Sequence, residues 1–496
     1  MSDLDPKRRL FILGISCLSL FMIGVDDTIV SIALPTIAKG LNASVSGLQW
    51  IVDGYTMVLA SLLIFGGATA DRYGRRRVFR IGLAIFTAGS ALCSVAPSLS
   101  WLIAFRVLQA VGGSMLNPVA VSIISGVYTR QRARTQAISV WVGMYGLGMA
   151  AGPPLGGILI SAVGWRGIFW VNVPVGLCAI ALSSRIVPES RAARPRRHDP
   201  VGQILVIIML ASLFWAIIEG AYTDWHATAV RDLFIGSAVL LPVLVTWELR
   251  RREPLIELRN FRSASLSAAV VIAICAFADL GGFLFLTSIY LQALRGFSVL
   301  DAGLHMIPTA VAMALCPSLA AWLTARTGSA RVPLLLGGLA LMLSMNELSQ
   351  LSATTSAVQL LATFGLFGTG MGLVNGQISV AAVAGMPADQ AGLASGIASA
   401  SRQVGQALGV AIAGSLLTRA GGLAHVSTAF GRATYPAWHL LFFGACLVMA
   451  AALVTRRARP RHGVARRFLG VGRARSDEHP QADEHPHSDA REEARS

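Results

Sequence analysis

Asp26 and Asp27 interrupt an apolar run from Leu10 to Leu34, and Asp53 interrupts a second from Leu48 to Gly67. Arg106 lies within a third, from Trp101 to Val127. A charge near the centre of a bilayer costs roughly 2.5–3.5 kcal/mol on insertion scales. Such residues face a bundle interior, pair with one another and mark an ion or substrate path. Counted at about 1.5 Å per helical residue, Asp26, Asp53 and Arg106 lie at similar depth, roughly 8–10 Å from one face. Acids and a base at one level read as a proton or cation site, in which an arginine keeps a carboxylate ionised until a proton displaces it.

The elements that must position these charges are membrane-spanning helices. Of 496 residues, 54% are hydrophobic and 13% charged. The apolarity falls in blocks of about twenty residues, the length of helix that crosses a hydrocarbon core. Fourteen such blocks are legible, at 10–33, 48–68, 78–97, 101–127, 136–160, 168–188, 201–219, 232–249, 266–292, 302–325, 332–350, 357–384, 391–418 and 436–455. The first is too long, and too poor in small-residue cleavage sites, for a removed signal peptide.

The formal charge of +16 is distributed by topology and excludes a nucleic-acid reading. Lys7, Arg8 and Arg9, the cluster Arg72 to Arg80, Arg130 to Arg134, Arg185 to Arg197, Arg250 to Arg262, Arg326 with Arg331, and the basic tail fall in alternate loops. The intervening loops hold only Lys39, Arg166, Arg231, Arg295, Arg419 and Arg432. This positive-inside pattern puts both termini in the cytoplasm. The six cysteines all fall inside spans without paired or ligand-like spacing, so neither a disulfide framework nor a metal site is expected. No cofactor is expected either.

The blocks divide six, two and six. A cytoplasmic N-terminus (1–9) precedes a six-helix bundle (10–188), then a linker carrying two additional spans (189–263), a second six-helix bundle (264–455) and a disordered cytoplasmic tail (456–496). His479, His485 and His487 in that tail read as a solvated segment rather than a metal site. Two six-helix halves around a midplane site are a common transporter plan.

Two motifs suggest a mechanism. Between the second and third spans, Gly67, Asp71, Arg72, Gly74 and Arg75 lead into Arg76 and Arg77. Glycine permits a tight turn between helices, and Asp71 can accept from the arginines or face a helix N-terminus as a conformational latch. In the fifth span Gly148, Gly152 and Gly156 recur every four residues, beside Pro153 and Gly157. The glycines make a smooth helix face, and the proline removes a backbone hydrogen bond.

The loop resembles the G-x-x-x-D-R-x-G-R signature of the major facilitator superfamily, and the fifth span resembles the motif of its antiporters. Further stretches are similar to the fourteen-span drug:proton antiporters of that superfamily. These are Asp26 to Pro35, Leu48 to Tyr55, Arg106 with Gln109 and Gly112, Trp165 to Gly176, Tyr290 to Gln292, and Ala391 to Gly405. The resemblance implies an all-α integral membrane protein with the major facilitator fold, two additional helices between its halves and fourteen spans. It assigns Asp26 to the family's proton-coupling acid. Asp27 departs from the family, which more often has a neutral residue there, and Asp53 belongs to a subset that includes exporters of lipophilic cations.

Adjacent helical residues point about 100° apart, so Asp26 and Asp27 face different neighbours. Asp26 with Arg106 is the expected proton switch. Asp27, Asp53 and Asp279 are candidate substrate or cation contacts. Aromatics and methionines such as Phe21, Met57, Tyr145, Phe283 and Met371 are candidate cavity residues. The function implied is proton-driven efflux of hydrophobic drugs or antibiotics, with a tilt toward cations, by a monomer in the plasma membrane, the inner membrane of a bacterium. Its partners are the small-molecule substrate, protons and lipid. The rival within transport is an exporter of one endogenous metabolite. A non-transporting membrane sensor would have no need of the buried charges. A membrane enzyme is disfavoured because the spans hold no nucleophile motif, histidine cluster or phosphate loop.

Overall fold

The computed structural model describes residues 5–191, 199–223, 225–251, 258–384, 391–419 and 426–455. At 64, 131, 132, 135, 139, 258, 259, 391–393, 395 and 426–433 only the backbone is described. The basic residues Arg194, Arg196 and Arg197 and the histidine-bearing tail lie outside the described residues.

The described chain is helical throughout. The first six spans comprise α1 (Pro6–Leu41), α2 (Val45–Tyr73), α3 (Arg75–Ser94), α4 (Leu99–Val127), α5 (Gln131–Val163), the short α6 (Gly167–Trp170) and α7 (Asn172–Ile186). Then come α8 (Pro200–Tyr222) and α9 (Thr228–Arg250). The remainder comprises α10 (Ala264–Ile289), extended by a wide turn at Tyr290–Leu294, α11 (Val299–His305), α12 (Ile307–Thr327), α13 (Arg331–Ser349), α14 (Ala357–Val383), α15 (Ala391–Arg419) and α16 (Val426–Val454).

Local chemistry sets the boundaries. Asp5 caps α1 by accepting from the Lys7 N–H, with Pro6 in the first turn, where a missing donor is harmless. Asn42 ends α1 in the left-handed conformation, at φ 50°. The Ser44 hydroxyl then accepts from the Gly47 N–H to start α2. A single residue, Gly74 at φ 113°, separates α2 from α3. That backbone is open to glycine and strained for other residues.

Among the described residues, twelve helical segments are long and apolar enough to cross a membrane. α2 makes a thirteenth, bent by 49° between Leu63 and Phe65. Two causes of the bend are visible. The Ser61 hydroxyl bonds back to the Met57 carbonyl at 2.7 Å, and Gln203 of α8 donates to the Ser61 carbonyl at 2.7 Å. α15 is long enough, but Arg402, Gln403, Gln406 and its serines make it too polar to pass by composition.

Packing groups the helices into two sets. In the first, α1 lies along α5, and α4 lies along α2 and α3. In the second, α10 lies between α15 and α16, and α14 between α12 and α13. The sets meet at the end of the bundle where α1 gives way to α2. There Gln49 donates to the carbonyl of Ala411 at 2.8 Å, and Gln292 to the carbonyl of Ile32 at 2.9 Å. α8 fills the seam between α2 and α15. Its Leu210, Phe214 and Ile218 pack with Ala407 and Ala411, Trp215 meets Trp50 edge-on at 5.7 Å, and the Ser415 hydroxyl donates to the Ile217 carbonyl. α9 packs on α8 and is mostly exposed.

Candidate functional site

Asp26 and Arg106 form an ion pair at 2.6 Å, with both side chains almost wholly buried. The α1 acid is saturated by its own set. Its Oδ1 accepts from Gln109 of α4 at 2.8 Å and from Asn172 of α7 at 3.1 Å, while Oδ2 accepts from Arg106. Gln109 also accepts from Arg106 at 2.9 Å, and Asn172 donates to the Ser90 hydroxyl at 3.1 Å. The guanidinium stacks 3.9 Å from the Tyr55 ring centroid. A buried pair survives desolvation only when geometry is good and the remaining lone pairs are met, and this network meets that requirement. Tyr55, Gln109 and Asn172 fall within the family-like stretches, but the sequence assigns none of them a role. Their available signal was the presence of hydrogen-bonding side chains in otherwise apolar runs.

Asp27 points elsewhere, as its place on the helix requires. Its Oδ2 accepts from the Tyr145 hydroxyl of α5 at 2.7 Å and from Gln403 of α15 at 3.4 Å. Its backbone carbonyl accepts from Gln406 of α15 at 3.1 Å. Oδ1 is buried without a partner among the described residues. Asp27 therefore touches both helix sets, whereas Asp26 touches one.

Asp53 is brought to neither. It is fully buried, and neither oxygen has a partner among the described residues. Gln49 and Met57, one turn away on either side, contact α15 and the α8 seam, which places Asp53 on the face of α2 turned toward them. Asp279, also buried without a partner, turns toward Gly444 of α16, so it lies inside the second set. A buried carboxylate without a donor is electrostatically incomplete and is completed by a proton or a cation. Arg402 has no acid partner among its described bonds; it donates to the Asn375 carbonyl and the Ser379 hydroxyl of α14.

The latch residues lie together at the opposite end from the contact between sets. Asp71 accepts from Arg75 at 2.9 Å, and Arg76 reaches Glu189 at 3.8 Å, both within the first set. Gly67 lets α2 approach Pro118 of α4. On α5, the glycine face divides its work. Side chains at Gly148, Gly152 and Gly156 would strike Phe21, Thr28 and Ile32 of α1. One at Gly157 would lie 3.0 Å from the Val299 carbonyl and 3.2 Å from Gly303, in α11 of the second set. Pro153 borders a small crevice between the sets, lined by Thr28 and Met149 on one side and Leu284, Met306 and Met313 on the other. Of the aromatics and methionines expected in a cavity, Tyr145 reaches a candidate site residue directly.

A multi-pass bundle of two packed helix sets with charges buried in its interior is the architecture of a membrane transporter. The family model of the Major Facilitator Superfamily matches residues 16–410, and the chain belongs to that superfamily. It is 36% identical over 396 residues to the multidrug resistance protein Stp of Mycobacterium tuberculosis (strain CDC 1551 / Oshkosh), covering 80% of this chain and 73% of that protein. It is 33% identical over 378 residues to the tetracenomycin C resistance and export protein of Streptomyces glaucescens, covering 76% of this chain and 70% of that one. It is 35% identical over 306 residues to the multidrug efflux pump LfrA of Mycolicibacterium smegmatis, covering 62% and 60%. Among solved structures, an auto-inhibited POT family peptide transporter superposes with a TM-score of 0.64 at 16% identity, covering 91% of this chain and 96% of that one. A bacterial homologue of the human lysosomal transporter Spinster, inward-facing and unoccupied, gives 0.62 at 16%, covering 91% and 98%. At that identity the two structures speak for the fold alone. The chain is an integral membrane transporter of the kind found in bacterial plasma membranes, and its homologues are efflux pumps rather than enzymes.

Proposed function

We propose that this protein is a proton-coupled antiporter that exports hydrophobic drugs or antibiotics, cations among them, by alternating access. The observation that carries the reading is the Asp26–Arg106 pair, a dehydrated carboxylate whose counter-ion can be displaced by a proton. The smooth α5 face supports it, because Gly157 and Pro153 lie where the two sets must slide and seal. Counting α2 and α15 as spans gives fourteen, and the positive-inside pattern supports cytoplasmic termini. The two moving halves are then 10–188 and 264–455, with α8 and α9 between them. In that orientation the contact between sets lies at the outer face, and the Asp71–Arg75 latch lies at the cytoplasmic face, bonded within the first half among the described residues. Asp53 and Asp279 are proposed to contact cations, and the monomer is the working unit, with no role for nucleic acid.

The test is efflux from membrane vesicles under an imposed pH gradient, across neutral, monocationic and dicationic compounds. Export driven by the gradient, lost in Asp26→Asn while the protein stays in the membrane, is the expected result. Unimpaired coupled transport by that variant overturns the assignment. The similarity to the tetracenomycin C export protein favours one second reading, an exporter dedicated to a single metabolite. Transport confined to one compound class in the same panel would select it.

A further inference from the structure

We infer that Asp27 exchanges a proton of its own, at Oδ1, and that this proton sets how firmly the two helix sets are joined at mid-depth. The inference rests on the antiport reading above and adds the step that reading lacks. The bonds of Asp26 run to α4 and α7 within the first set, so a proton there does not by itself reach the second. Asp27, the next residue, is the acid whose hydrogen bonds cross. Its Oδ2 holds Tyr145 of α5 and Gln403 of α15 together, and Gln406 of α15 binds its backbone.

Hydrogen bonds to an ionised carboxylate are roughly twice as strong as those to a neutral one. With Asp27 ionised, the donors of α5 and α15 are drawn to one atom. A proton taken from water onto Oδ1, which has no partner among the described residues, leaves a neutral carboxyl with a weaker hold on Gln403. α15 is then free to move from α1 and α5, and return of the proton to water restores the bridge. The site fits a proton better than an organic cation. One turn away, Gly24 of α1 meets Tyr145 and Met149 of α5, with no room for a side chain between the helices. Asp27 itself is 4% exposed. The groups facing it are Asp26 and Arg106 within the first set, Tyr55 from α2, Tyr145 from α5 and Gln403 from α15, while Arg402 of α15 faces Tyr145. α10 contributes no facing charge, because its Asp279 turns to α16.

The experiment uses the full chain in liposomes, with spin labels on α1 and α15, and reads their separation and the efflux rate at several pH values. In the wild type, acid should lengthen the separation. Asp27→Asn should hold the low-pH separation at every pH and cut gradient-driven efflux by about tenfold or more, equivalent to roughly 1.4 kcal/mol. Gln403→Leu, which keeps the acid but removes its second-set donor, should flatten the pH response even if Asp27→Asn does not fold. A wild-type pH response retained in either variant overturns the role of Asp27. A wild type that shows the response, loses it in Asp27→Asn, yet transports without proton coupling refutes the antiport reading and leaves the bridge standing.

Discussion

The hydroxyl of Thr28 donates to the carbonyl of Met149 at 2.9 Å. Met149 stands four residues before Pro153, so its carbonyl is the one that the proline leaves without a helical donor. One residue of the α1 motif thus completes the backbone that the α5 motif opens. The two helices approach closely because Gly24 on one and Gly148 and Gly152 on the other carry no side chain. The motifs are two halves of one joint, in which the carbonyl freed by Pro153 keeps a partner inside a dehydrated interface.

Replacing Thr28 with valine keeps the shape and removes the donor, and an unsatisfied buried carbonyl costs about 1–3 kcal/mol. Gly152→Ala should do at least as much damage, since its Cβ would run into the Thr28 hydroxyl. Gly146→Ala, on the same helix but with nothing within 4 Å of the added carbon, should be neutral. Thermal unfolding of the purified protein in detergent checks the series. Helix propensity favours alanine at both sites, so equal loss at Gly146 and Gly152 would show that the joint with α1 does not set the effect.

The Asp26–Arg106 pair should behave asymmetrically. Removing one partner leaves an uncompensated buried charge, at about 3–5 kcal/mol. Arg106→Gln or Asp26→Ala alone should therefore destabilise strongly, and the double variant should recover much of the loss. A double-mutant cycle in thermal stability measures the coupling. Simple additivity of the two losses would mean that the pair is not an isolated, dehydrated ion pair.

Much of this arrangement was legible because charge in an apolar run is costly and therefore conspicuous. Depth along each helix brought Asp26 and Arg106 to one level, and the turn between adjacent residues separated Asp26 from Asp27. Azimuth was not available, because an apolar run surrounded by lipid or by other helices shows little periodic contrast. Asp53 shares the level of the pair yet faces the α8 seam, and Asp279 faces α16. Tyr55, Gln109 and Asn172 carry no charge, so their burial gave a weaker signal. The sequence reads α15 as one more apolar block although Arg402, Gln403 and Gln406 interrupt it; the Gln403 and Gln406 amides donate to Asp27 of α1. The small crevice lies at the Pro153 bend, a place set by how helices pack and not by where methionines fall.

The base of the α8–α9 hairpin supplies an acid-sensitive anchor outside the spans. Asp199 caps α8 by accepting from the Gly202 N–H at 3.0 Å, and it also accepts from Trp247 at 3.0 Å and Arg251 at 3.3 Å. Burial on its own would raise the Asp199 carboxyl; the Gly202, Arg251 and Trp247 donors outweigh it and hold the group below the ordinary aspartate value. A group whose folded value is depressed stabilises the fold above its unfolded value, about 3.9, and loses that contribution as pH falls through the folded value. Acidification from pH 5 toward pH 3 should therefore loosen α8 from α9. Asp199→Asn keeps an N-cap side chain but removes the charge, so it should be less stable than wild type at pH 7 and show a flatter decline in acid. Asp199→Ala also loses the cap, a further cost of about 0.5–2 kcal/mol. Amide exchange in α8 and thermal unfolding, followed from pH 7 to pH 3, measure both effects. The same acid response in wild type and Asp199→Asn would place the sensitivity on another carboxylate. A loosened α8 should also free Ser61 from Gln203, so protection should fall at the α2 bend in step with α8.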